Sequence, residues 1–147
     1  MKYESGSSKI FLYFHANAED LGRAEKFLRY VHTYLRMHVL AVEYPNYGVY
    51  PSSTPASADT VLTDSTHVLS FLTKHLLWKQ EDLVLCGRSI GSGPATYLAS
   101  LHPSLSSLVL ISPHTSIRGV VKDQFLGAFA QYAIKERFRN LDAIARV

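Results

Sequence analysis

Gly87-Arg88-Ser89-Ile90-Gly91 brings together the residue types that a reactive serine needs. The apolar run Leu83-Val84-Leu85-Cys86 leads straight into it. Small residues follow (Gly93, Ala95, Ala99), with Leu98 and Leu101 among them at helical spacing. The order strand, sharp turn, helix puts Ser89 at the apex, and the spacing fits G-x-S-x-G, the nucleophile elbow. A serine lifted above a sheet on a strained turn leaves no room for side chains two residues to either side, hence Gly87 and Gly91. The helix that opens just after Ser89 aims backbone N–H groups at any negative charge forming nearby. The chemistry this serves is nucleophilic attack by a serine hydroxyl.

The elements that must hold the turn in place alternate along the chain. Lys9–Phe14 is a near-continuous apolar run, as for a strand buried on both faces of a parallel sheet. His15–Asp20 follows, with Asn17 expected as a helix N-cap and Glu19 and Asp20 in the first turn. Leu21, Ala24, Leu28, Val31 and Leu35 then share a helical face. Val39–Tyr44 reads as a second strand. Residues 45–55 form the most loop-like stretch, with three prolines, Asn46 and Gly48. A helix from about Ser57 buries Val61, Leu62, Leu69, Leu72 and Leu76. Leu108–Ile111 makes the fourth strand, and the segment from about Ile117 to Val147 reads helical, with Val121, Phe125, Phe129, Tyr132 and Phe138 on its apolar side. Those aromatic residues fit either an acyl pocket or plain core. The alternation implies an α/β fold, a three-layer αβα sandwich on a parallel sheet with right-handed crossovers.

Composition narrows the function classes. A chain of 147 residues, 47% hydrophobic and 18% charged, is one globular domain with a real core. A net charge of +3 with scattered Lys and Arg reads as a solvated surface, not a nucleic-acid interface. The single cysteine, Cys86, lies in an apolar strand and reads as a small buried hydrophobe. No apolar run approaches the roughly 18 residues that a membrane span requires, and no signal peptide precedes the first strand, so the cytoplasm is the expected address. No set of His, Cys or acid residues has metal-ligand spacing; Asp59 and Asp64 lack partners at such intervals. The glycines around Ser89 open a helix after a strand, but no acid lies about 20 residues on, so no dinucleotide or other cofactor is expected. His32, His38, His67 and His75 read as surface residues.

Four segments together resemble a known family. Tyr13–Gly22 (Tyr-Phe-His-Ala-Asn-Ala-Glu-Asp-Leu-Gly) is similar to the Y-x-H-G-N-A-E-D-L-G loop of an α/β-hydrolase subfamily. Tyr44-Pro45-Asn46-Tyr47-Gly48 resembles its Y-P-G-Y-G loop. Gly87–Pro94 resembles its elbow, and Ser112–Ile117 its S-P-x-T-S-I stretch. The motifs run in order from about Lys9 to the C-terminus. The chain in this respect resembles the α/β-hydrolase-domain-containing proteins that include protein depalmitoylases. The resemblance implies that Ser89 attacks an ester or thioester carbonyl, in an acylated protein or lipid. It also implies that the backbone N–H groups of Asn17 and Ile90 form the oxyanion hole. His15 it makes a structural loop residue.

The resemblance is partial. The family places its acid and then its histidine after the serine. After Ser89 this chain has only His102 and His114, and no histidine follows Asp123, Glu136 or Asp142. His114, at a strand end, reads as a loop histidine at a pocket rim. The expectation is therefore a single partial α/β-hydrolase domain over 1–147, with a strand and helix core at about 9–112 and a C-terminal helical segment at 113–147. The catalytic Asp and His would lie beyond it, and unpaired sheet edges would favour self-association. A hydrolase-like binding protein without activity is the other reading. Ala16 stands where the family has glycine, which matters if that position needs positive φ or a close backbone approach. Asn46 for glycine is milder, because Asn tolerates left-handed backbone.

Overall fold

The computed structural model describes residues 7–17, 19–53, 56–115 and 138–147. Four strands, β1 (Ile10–Phe14), β2 (His38–Val42), β3 (Leu83–Arg88) and β4 (Ser107–Ile111), form one parallel sheet in the order β2-β1-β3-β4. Among the described residues the α-helices are α1 (Leu21–Tyr34), α2 (Ala58–Ser70), α3 (Ser92–Leu101) and a short α4 (Asn140–Ile144).

The β1 sequence explains the layering. Alternate residues of a strand face opposite sides of the sheet. Ile10, Leu12 and Phe14 join Val61 and Leu69 of α2 and Ala95 and Leu98 of α3 in one core. Phe11 and Tyr13 join Ala24, Leu28 and Val31 of α1 in the other. Both faces of β1 are covered, so all five of its residues are buried and an unbroken apolar run is what the position demands.

The topology fixes where a site can form. From β1 the chain moves one way to β2, with α1 on one face. It then returns past β1 to β3, with α2 on the opposite face, as right-handed crossovers require. The direction reverses between β1 and β3. In open α/β sheets, ligands bind outside the carboxyl ends of the strands at such a point. Phe14 is in register with Gly87 there, so the loop after β1 and the turn after β3 leave the sheet side by side.

Three expectations need correction. α1 starts later than expected: its N-cap is Asp20, whose carboxylate accepts from the Arg23 N–H at 2.8 Å, not Asn17. The Glu19 N–H is drawn back to the Ala16 carbonyl at 3.1 Å, which closes a turn around Asn17 ahead of the helix. His38 is buried, edge-on to the Trp78 ring, with Nε2 3.1 Å from the Ser7 carbonyl. His32 is half-buried, with Nδ1 3.0 Å from the Met37 carbonyl. The expected C-terminal helical segment lies mostly outside the described residues; within 138–147, Asn140–Ile144 are helical and Phe138 has φ +50°. Val121, Phe125, Phe129 and Tyr132 lie outside the described residues. The helix after residue 57 starts as its sequence indicates: Ser57 and Thr60 form a reciprocal capping box.

Cys86 is fully buried, and that burial pushes its thiol up to about 12. At pH 8 the native chain is therefore expected to resist a disulfide reagent, with labelling that tracks global unfolding in a urea series. Rapid labelling without denaturant would contradict the packing of β3 between its two layers.

Candidate active site

Ser89 occupies the left-handed region, with φ +51°, directly after the extended Arg88. A non-glycine residue there carries on the order of 1–2 kcal/mol of strain. The turn is held by backbone packing. A Cβ on Gly87 would collide with the Gly91 carbonyl and Ser92 Cα, and one on Gly91 with the carbonyls of Phe14 and His15. The elbow thus sits on the end of β1 with no side chain between them. A 3₁₀ turn over Ser89–Gly91 runs into α3, and the Ser92 hydroxyl donates to the Ser89 carbonyl at 2.6 Å.

Asn17 and Ile90 share the wall of a cavity of about 230 Å³, closed by Tyr44, Tyr47, Val61 and Phe138. Ser89, one residue before Ile90, is half-buried and lies outside that wall. Of the aromatic residues expected to line a pocket or core, Phe138 does line it. His114 does not: its ring is half-buried, its Nε2 has no hydrogen-bond partner among the described residues, and burial lowers its pKa.

The loop after β1 is anchored by polar groups from the segment that follows β2. His15 is fully buried, its ring 4.0 Å from that of Tyr44, and the Tyr44 hydroxyl donates to the His15 carbonyl at 2.9 Å. His15 Nδ1 lies 2.9 Å from the Ala16 carbonyl, and Nε2 lies 2.8 Å from Glu43 Oε1 in a contact off the axis of the ring N–H. His15 is not among the residues that line the cavity. Tyr47 donates through its hydroxyl to Asn17 Oδ1 at 2.5 Å. Ala16 is not left-handed, so its methyl group adds no backbone strain of that kind. Asn46 does adopt φ +64°, and Gly48 φ +44°.

Sequence reading missed Glu43 and Asn140. An acid ending an apolar strand, directly before Tyr44-Pro45, was an available signal for the first. Asn140 had none: its side-chain amide donates at 2.8 Å to both Ser92 Oγ and the His114 carbonyl. These bonds tie α4 to the helix behind the serine.

Comparisons with known proteins agree with this architecture. The chain is 32% identical over 127 residues to the protein bem46 of Schizosaccharomyces pombe, covering 85% of this chain and 42% of that protein. It is 34% identical over 102 residues to the α/β-hydrolase domain-containing protein aho-3 of Caenorhabditis elegans, covering 69% of this chain and 30% of the relative. The chain therefore spans less than half the length of these curated relatives. An α/β hydrolase of Vibrio vulnificus superposes on 95% of the chain with a TM-score of 0.78 at 18% identity, using 53% of its own chain. No protein-family model matches. Among the described residues no helix is long and apolar enough to cross a membrane.

Proposed function

Since the chain belongs to the α/β-hydrolase superfamily and holds the part of that fold where β1 and β3 end together, we propose that it serves as part of a serine hydrolase acting on carboxylic ester or thioester bonds. One observation carries this reading: a serine held at positive φ between strand and helix, beside a cavity that Asn17 and Ile90 both line. In this reading the Ser89 Oγ attacks the carbonyl carbon, and the backbone N–H groups of Asn17 and Ile90 receive the oxygen's developing charge. The acyl portion enters the apolar cavity between Tyr44, Val61 and Phe138. The depalmitoylase-like motifs favour a thioester, with an acylated protein or lipid as substrate. A buried single thiol fits a reducing compartment such as the cytoplasm.

A serine hydroxyl needs a base, and the base needs an orienting acid. Neither is found in the family's order after Ser89, so both are assigned to residues beyond these 147. The same gap favours a second reading, a hydrolase-like binding protein. A fluorophosphonate probe applied to the product of the full native reading frame separates the two. The hydrolase reading expects stoichiometric labelling at Ser89, abolished in Ser89→Ala, with labelling of the 147-residue chain slower on the order of 10⁴-fold for want of its base. A reading frame that adds no Asp and His, together with an unlabelled product, would leave the binding protein as the better account.

A further inference from the structure

Glu19 joins two segments that the proposed chemistry needs at a fixed spacing. Its carboxylate is only 10% exposed and lies between the loop after β1 and the start of the elbow. Oε2 accepts from the Tyr13 hydroxyl at 2.9 Å and from the Ala16 N–H at 3.1 Å. Oε1 accepts from Arg88 Nη1 at 2.9 Å. The Glu19 N–H donates in turn to the Ala16 carbonyl at 3.1 Å, so the turn holding Asn17 is closed both by backbone and by side chain. Arg88 directly precedes Ser89 and stands two residues before Ile90.

We propose that Glu19 and Arg88 are positioning residues that lock the Asn17 turn to the serine elbow and so set the spacing of the two N–H groups that face the oxyanion. This rests on the hydrolase reading of Ser89. Preorganised donors are effective because they need not move as charge develops; Tyr44 and Tyr47 tie the loop after β1 to the loop after β2, and the bond from Arg88 to Glu19 adds the tie to the elbow itself. The pair also solves a charge problem. A carboxylate one turn away from a developing oxyanion repels it unless a cation neutralises the carboxylate, and Arg88 supplies the cation. Tyr13 completes the clamp: burial first, and then its bond to Glu19, hold its phenol protonated far above the ordinary range, so it remains a donor to the carboxylate. An ion pair with a half-exposed partner contributes little to global stability, so its effect is expected in geometry.

The test uses the full chain and butylboronic acid. Ser89 Oγ adds to the boron and releases its proton to the buffer, giving a tetrahedral boronate anion that needs no enzyme base. Arg88→Gln and Glu19→Gln are each expected to weaken the adduct about tenfold, and the double variant to be no weaker than either single one, as for groups acting through one another. Arg88→Lys, which keeps the cation, is expected to recover most of the loss. Without ligand, the amides of Ala16 and Asn17 are expected to exchange about tenfold faster in Glu19→Gln, while those of Leu85 and Cys86 in β3 stay unchanged. Adduct stability within about twofold of wild type in both single variants, with unchanged exchange, would overturn the proposal. Failure of the unmodified chain to form any adduct that Ser89→Ala abolishes would count against the hydrolase reading instead, and the amide exchange would then decide the tether alone.

Discussion

Gly91→Ala is expected to destabilise the chain by more than about 3 kcal/mol, a large part of the 5–15 kcal/mol that holds a typical domain together. The cause is purely steric. Gly91 has φ −63° and ψ −15°, a conformation in which alanine is comfortable. Replacing glycine there would ordinarily stabilise by about 0.4–1 kcal/mol through the unfolded chain. The added Cβ, however, meets the carbonyls of Phe14 and His15. Both residues are buried to 0% exposure, at the end of the strand that both cores are built on, so neither can step aside cheaply. Gly22→Ala is the control. Its nearest obstacle is the Asp20 carboxylate at 3.3 Å, a side chain able to shift, so its effect is expected within about 1 kcal/mol. Urea midpoints at constant slope measure both. Equal midpoints for the two variants would mean that the elbow does not rest on β1 as described.

The parts of the fold that were legible in the sequence are those governed by local pattern. An apolar run such as Ile10–Phe14 has few places to go other than a doubly covered strand. The glycines around Ser89 could be read because a close backbone approach excludes every other residue. Asn17 shows where such reading stops. An Asn ahead of two acids resembles an N-cap, but the contest for the backbone donors was decided by Asp20 and by Glu19. The tie that matters most to Glu19 comes from Arg88, distant in sequence and adjacent only once the sheet has formed. His38 was misjudged for a related reason. A histidine at a strand start is neutral by pattern, and its burial depends on Trp78 folding over it. Ala16 is a different case: one condition under which it would matter beside the family motif, a positive φ, is not met here.

The second large effect concerns the polar pair beneath the loop after β1. Glu43→Leu is expected to cost about 3–5 kcal/mol, the range for removing one partner of a buried pair. The Glu43 side chain is 8% exposed and the His15 side chain 0%, so water cannot replace the lost carboxylate. Two groups lose the carboxylate beside them: the Leu21 N–H, which donates to Oε2 at 3.2 Å, and the His15 ring, whose Nε2 lies 2.8 Å from Oε1. Leu21 opens α1, and its N–H is one of the first-turn donors that have no partner within the helix. The carboxylate also stands where the helix dipole favours a negative charge. His15→Phe alone keeps the ring contacts with Tyr44 and Tyr47 but leaves the carboxylate buried without its partner, so it too is expected to destabilise. Combining the two removes both polar groups while preserving volume and ring packing. The double variant is therefore expected to be more stable than the sum of the single losses predicts, with a coupling of about 1–3 kcal/mol in urea unfolding. Strict additivity would show that His15 and Glu43 act independently, and the Asn17 turn would then owe its placement to Glu19 and Tyr47 rather than to the pair beneath it.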